Sequence, residues 1–214
     1  MKSKYVHLVF VIFGLWFISC SSDIPDSKKV IVIQPFGDFK TSISKEVYRQ
    51  IKKIYPATVL KKSVLLPQQA YYAPRNRYRA DSLIRFLGQN NKGDSIVIGL
   101  TNKDISTTKG KTADWGVMGL GYCPGRSCVV STFRLSNKNA AEQFYKVAIH
   151  ELGHTQGLKH CPIKNCFMRD AEGGNHCPIK NCFMRDAEGG NHLNEEIGFC
   201  NACKQTLLER GWLL

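Results

Sequence analysis

Apolar positions along this chain fall into two rhythms. Residues 30–33 and 96–100 are short, unbroken apolar runs, the pattern of strands buried on both faces. Thr58-Val59-Leu60 and Val64-Leu65-Leu66 predict a third strand region. Between these runs the period lengthens. Ile43, Val47, Ile51 and Ile54 recur at helical spacing, and Ala80, Leu83, Ile84 and Leu87 follow i, i+3, i+4, i+7, so each set lines one helix face. Strands alternating with helices predict an α/β (α+β) fold, a mixed twisted sheet packed by helices. Residues 129–135 read as a further strand. A helix follows closely, with Asn139 as an N-cap whose side chain can accept from an orphan amide. Residues 206–210 read as part of a closing helix, with Leu207 continuing the face of Cys200 and Cys203.

The helix after Asn139 carries the chemistry. Residues 150–160 read His-Glu-Leu-Gly-His-Thr-Gln-Gly-Leu-Lys-His, which fits the zinc-hydrolase pattern H-E-x-x-H-x-x-G-x-x-H. Residues four apart share a helix face, so His150 and His154 can aim two imidazoles at one ion. Glu151, the next residue along, is placed to hold a water without ligating the metal. Gly157 lets the helix end and the chain reverse, because glycine tolerates positive φ. His160 then supplies a third nitrogen from outside the helix. Three protein ligands leave a fourth position for water, the catalytic form of a zinc site. The bland alternative is a surface histidine cluster on a basic helix; the joint match of all the fixed letters weighs against it.

His160 runs straight into cysteines: Cys161, Cys166, then Met168, and much later Cys200-Asn201-Ala202-Cys203. Two such cysteine pairs can hold a structural zinc with four thiolates. Together with the histidine motif, this block resembles the archaemetzincin family of metallopeptidases. The resemblance extends upstream to Tyr71-Tyr72-Ala73-Pro74-Arg75, to residues 96–101 with Asp104, and to residues 129–135, Arg134 included. It implies a peptidase acting on a peptide or protein substrate, with Glu151 as general base. It implies one catalytic zinc on His150, His154 and His160 and one structural zinc on Cys161, Cys166, Cys200 and Cys203. A turn at Met168 would form an apolar floor beneath the catalytic metal, although ordinary core packing accounts for a methionine equally well. Residues 129–135 would be the edge strand along which an extended peptide lies. The implied architecture is a single metallopeptidase domain, 30–214, with a backing helix and an active-site helix. Its upper subdomain spans 30–157 and a smaller cysteine-bearing one spans 158–214.

The chain departs from that pattern once. Residues 160–175 and 176–191 are the same sixteen letters, HCPIKNCFMRDAEGGN. A structural repeat array would show many diverged copies; two identical ones read as an in-frame duplication, tolerable because a longer surface loop adds closure entropy slowly. Either Cys161, Cys166 and Met168 do the structural work, or Cys177, Cys182 and Met184 do. The tether of Cys161 to His160 favours the first copy. The spacing from the second copy to Cys200 favours the second. Using His176 in place of His160 would need a long excursion between ligands, so the first copy is preferred.

The N-terminus adds a location. Lys2 and Lys4 precede an apolar run at 8–18, too short to span a bilayer, which takes about 20 apolar residues. This is the form of a secretory signal, and Phe17-Ile18-Ser19-Cys20 resembles a bacterial lipobox. Residues 1–19 thus read as a lipoprotein-type signal, Cys20 as the lipidated residue and 20–29 as a tether. The ordinary alternative is a cleaved signal with an incidental cysteine. The expected location is a bacterial cell envelope, with the protein exported and anchored by its lipid, as a monomer. The net charge of +13 is scattered rather than blocked, and no aromatic-interleaved basic motif supports nucleic-acid binding. The charge reads instead as a solvated basic surface near anionic lipid or acidic substrate. Nine cysteines in an exported chain raise disulfides as an alternative to metal. Cys123 and Cys128 bracket a Pro-Gly turn, and a bridge or a free pair there fits the spacing equally. A second functional class also stays open: a catalytically impaired zinc-binding surface lipoprotein acting as a binding module, its cleft blocked by the duplication. Intact Glu151 weighs against it, because binding alone has no use for a base.

Overall fold

β1 (Ile31–Pro35) is buried at every position, as its unbroken apolar run requires. In chain order it is followed by α1 (Thr41–Ile54), β2 (Thr58–Leu60), β3 (Tyr71–Tyr72), β4 (Arg77–Arg79) and α2 (Ala80–Gln89). Then come β5 (Ile96–Thr101), β6 (Ile105–Lys109), β7 (Thr112–Val117), β8 (Gly119–Gly121), β9 (Ser127–Ser131), α3 (Ala140–Thr155) and α4 (Asn201–Leu208). This computed structural model describes residues 29–91, 93–135, 139–169 and 192–214. Cys20 and most of the sequence-read tether, and the second repeat copy with His176, Cys177, Cys182 and Met184, lie outside the described residues.

Two sheets form. The larger has the order β2-β1-β5-β9-β8, parallel except for the antiparallel β8–β9 pair. The smaller has the order β3-β4-β6-β7. In the larger sheet, Ile31 and Ile33 pack with Val47 and Ile51 of α1 and with Phe144 and Ala148 of α3. Val32, between them, joins Phe36 and Leu87 of a different cluster. The alternation follows the two-residue period of a strand, and it leaves α1 and α3 on one face and α2 on the other. The C-terminus closes the core: Trp212 is 1 % exposed, edge-on to Tyr55 with ring centroids 5.5 Å apart. The Leu213 amide donates to Ile54 O at 2.8 Å.

The mixed α/β architecture and both helical stripes stand as read from the sequence; Ala80, Leu83, Ile84 and Leu87 are all buried. Three local expectations are corrected. Residues 64–66 form no strand: Val64 makes a single bridge to Phe36 and Leu65 is 85 % exposed. The pairing runs past Pro35, with the Val64 amide donating to Pro35 O at 3.1 Å and the Gly37 amide to Val64 O at 2.8 Å, and stops where the neighbouring chain turns away at Gly37, φ +57°. Asn139 occupies the N-cap of α3 but makes no side-chain cap bond; its carbonyl accepts from the Gln143 amide at 3.0 Å. Residues 129–135 are not the sheet edge. β9 ends at Ser131 and lies between β5 and β8, because the chain folds back through Cys123-Pro124-Gly125 and lets β8 take the edge.

Candidate active site

α3 delivers the two helical histidines and ends where the sequence places the break. Gly157 has φ +83°, in the left-handed region that glycine enters without a Cβ penalty. The Leu158 amide donates to Gly153 O at 3.1 Å and the Gly157 amide to His154 O at 2.8 Å, the paired bonds of a Schellman turn. This reversal brings His160 back over the helix. Ring centroids are 4.6 Å apart for His150–His154, 4.9 Å for His154–His160 and 5.4 Å for His150–His160. One ligand atom from each of the three lies within 4.8 Å of the others.

The ring orientations are set from behind. His150 Nδ1 lies 2.8 Å from Phe167 O and His154 Nδ1 lies 2.8 Å from Leu158 O. A carbonyl can only accept, so both Nδ1 atoms carry the proton and both Nε2 lone pairs are left for a metal. Three imidazoles, two of them held by backbone carbonyls at Nδ1, are a donor set that fits zinc. Phe167 comes from the cysteine loop, so that loop aims one of the histidines.

Glu151 is 7 % exposed and sits in a slot that glycine makes possible. A Cβ on Gly119 would meet Glu151 Cγ and Oε1, both at 2.6 Å, and one on Gly121 would meet Glu151 O at 2.8 Å. Gly119 and Gly121 are two apart on β8 and so face the same side. Together they let the edge strand lie directly on the carboxylate. Burial pushes the Glu151 carboxyl up to about 8; a dication nearby acts in the opposite direction, favouring the charged form. Burial, followed by the Glu151 charge, also pushes up the thiol of Cys128.

The cleft in front of these groups has a volume of about 540 Å³ and is walled by β7 and β8 on one side and α3 on the other. Arg134 forms part of the wall and is held by Asp104, which accepts from its Nε at 2.9 Å and from its Nη2 at 3.0 Å. Arg77 pairs with the same carboxylate at 3.0 Å and with Asp114 of β7 at 3.2 Å. These half-buried and buried charges tie the smaller sheet to the turn after β9. Asp104 and Arg134, singled out in the sequence only by resemblance, thus fix the wall of the cleft.

Behind the histidines, Cys161, Cys166, Cys200 and Cys203 bring their sulfurs within 4.8 Å of one another. Cys161 and Cys200 are 3.7 Å apart. The amides of Cys200 and Met168 point at Cys166 Sγ from 3.3 and 3.5 Å. Desolvation raises the thiols of Cys166 and Cys203. Desolvation also acts on Cys200, but hydrogen bonds from Cys203, Cys161 and Cys166 outweigh it and bring that thiol down to about 7. Four converging sulfurs supported by backbone amides are a donor set that fits a structural zinc. Met168 is fully buried beneath α3. Cys123 and Cys128 are both free: Cys128 is buried within β9, whereas Cys123 is exposed and lines the cleft.

Two features of the site escaped the sequence reading. The Gly119-x-Gly121 spacing carried a signal, since alternate glycines mark a strand face approached closely by other atoms. Glu196 carried none. It is 1 % exposed and lines the cleft. Burial above all pushes its carboxyl up to about 7, against the pull of Lys146 and Arg169.

Known proteins resemble this chain in sequence and in fold. The family described as Peptidase family M54 matches residues 29–210. The archaemetzincin of Halobacterium salinarum is 33 % identical over 149 residues, covering 64 % of this chain and 83 % of that protein. That of Methanopyrus kandleri is 40 % identical over 114 residues, 51 % of this chain and 62 % of the relative. Among solved structures, the Methanopyrus kandleri archaemetzincin superposes with a TM-score of 0.67 at 26 % identity, covering 87 % of this chain and 98 % of that one. The Archaeoglobus fulgidus archaemetzincin, crystallised with malonate, gives 0.64 at 25 % identity, with 82 % and 98 % covered.

Proposed function

We propose a division of labour for this chain, which belongs to peptidase family M54, the archaemetzincins, and is a zinc metallopeptidase: His150, His154 and His160 hold the catalytic zinc and Glu151 is the general base. The observation that carries this reading is the seat of Glu151, buried between the histidine helix and the glycines of β8. Zinc, when bound, acts as a Lewis acid that polarises the scissile carbonyl and acidifies water. The carboxylate of Glu151 takes a proton from the attacking water and passes it to the leaving amine. Its burial keeps bulk water from competing for that proton. β8 ends its sheet among the described residues, so an extended substrate can add to it backbone to backbone. Cys161, Cys166, Cys200 and Cys203 would hold a second, structural zinc that keeps the carbonyl of Phe167 on His150.

The test is Glu151→Gln, assayed on a pool of quenched fluorescent peptides with zinc counted in the same preparation. Hydrolysis should fall by about 10²- to 10⁴-fold while zinc stays at the wild-type amount. Wild-type turnover in the variant would remove Glu151 from the mechanism. His154→Ala should instead lose both metal and hydrolysis.

Membrane attachment through a lipid on Cys20 is a further part of the proposal and rests on the sequence alone. Cys20→Ser should release the protein from the membrane fraction or stall its processing; unchanged attachment would contradict it.

A further inference from the structure

Glu196 takes no part in the chemistry above, yet it lines the same cleft as His150 and Glu151. It is 1 % exposed, and its Oε2 is buried with no hydrogen-bond partner among the described residues. A buried carboxylate oxygen that nothing donates to is costly, and in a native fold such an atom calls for a partner or a functional role. The two cations whose charge reaches Glu196 are committed elsewhere. Lys146 Nζ donates to Leu193 O at 2.7 Å and pairs with Glu142 at 2.8 Å. Arg169 pairs with Glu195 at 2.6 Å. Val147 and Leu193, exposed by 4 % and 2 %, add apolar wall to the same cleft.

Apolar walls joined to a carboxylate with a buried, unpartnered oxygen fit one kind of ligand, a methylene stem ending in a cation. We propose that Glu196, with Val147 and Leu193, forms a side-chain subsite that selects substrates carrying lysine or arginine close to the scissile bond. The inference rests on the peptidase reading of the cleft and names the substrate class it takes. A free N-terminal amine could offer the same charge, but it lacks the stem that Val147 and Leu193 would cover.

Binding separates this inference from catalysis. Zinc-loaded Glu151→Gln protein is titrated with labelled peptide pairs, N-acetylated or free, that differ only in lysine against norleucine, and binding is read by fluorescence anisotropy. The acetylated lysine peptide should bind roughly tenfold or more tightly than its norleucine twin, the value of one charge-assisted hydrogen bond. In the Glu151→Gln/Glu196→Gln double variant that ratio should fall to about twofold or less. Equal binding of the two peptides in the first protein overturns the proposal, as does a lysine preference that survives Glu196→Gln. If the preference appears only with free N-termini, the carboxylate reads the α-amine and the side-chain subsite falls. A Glu196→Gln protein that loses zinc or melts far below its parent would make Glu196 a structural residue, which also overturns it. Lysine discrimination in a wild-type protein that cleaves nothing would count against the peptidase reading and leave the subsite standing.

Discussion

Met168 lays its sulfur against Gly153, the residue just before His154; a Cβ added to Gly153 would collide with Met168 Sδ. The contact joins the loop that carries Cys161 and Cys166 to the helix that carries His150 and His154. It also explains why this position of the histidine motif carries no side chain. Gly153→Ala should force Met168 down or the helix up, costing about 1–3 kcal/mol by overpacking, and it should weaken zinc retention by moving His154. Thermal melting and a zinc titration check both. A variant as stable and as metal-tight as wild type would show that the floor yields freely.

Gly119 makes the same demand from the other side. Valine at this position would place atoms where Glu151 Cγ and Oε1 now sit. Gly119→Val should therefore push the carboxylate out of its slot and reduce hydrolysis by about 10²-fold or more, with the zinc content unchanged because the histidines are not touched. Loss of metal along with activity would point to collapse of β8 rather than displacement of the base.

Asp104 pairs with two guanidinium groups, those of Arg77 and Arg134. Asp104→Ala should strip Arg134 of its carboxylate, leave Arg77 only Asp114, and cost about 3–5 kcal/mol, the penalty of breaking a buried pair from one side. Asp104→Asn should cost less, because the amide oxygen still accepts one bond. Chemical denaturation of the two variants gives the comparison, and equal stability of Asp104→Ala and wild type would refute it.

The cysteine series addresses the duplication. Structural zinc contributes folding energy directly, so Cys161→Ser and Cys166→Ser should each lower the melting temperature and the zinc count. Cys177→Ser and Cys182→Ser should be nearly silent. Sensitivity confined to the second pair would mean that the first copy is the bulge. Equal sensitivity of both pairs would point to a metal or disulfide arrangement that uses both copies. Deleting 176–191 should leave a folded, zinc-loaded enzyme, although it cannot discriminate between copies, because removing either yields the same chain.

Much of the candidate site was legible because its determinants are local. Four-residue spacing puts His150 and His154 on one helix face whatever surrounds them. Gly157 ends that helix through its own backbone freedom, and the i, i+3, i+4, i+7 stripe of α2 required burial against something. The sequence alone thus determined the helices, the apolar strands, the three imidazoles and the neighbouring thiols. It misread what depends on partners. Val64-Leu65-Leu66 has strand composition, but the neighbouring chain turns away at Gly37 and leaves only Val64 a partner. The family resemblance implied that residues 129–135 form the edge, and nothing local reveals that Gly119-Leu120-Gly121 folds back outside them. The orientation of His150 by Phe167 O, the seat of Glu151 against β8, the anchoring of Arg134 by Asp104 and the burial of Glu196 all join groups distant in the chain. Only the tertiary structure decides such contacts. A strand edge, a hydrogen-bond acceptor or a dry environment is supplied by whichever segment packs alongside, and a residue's own neighbours in sequence do not encode which one that is.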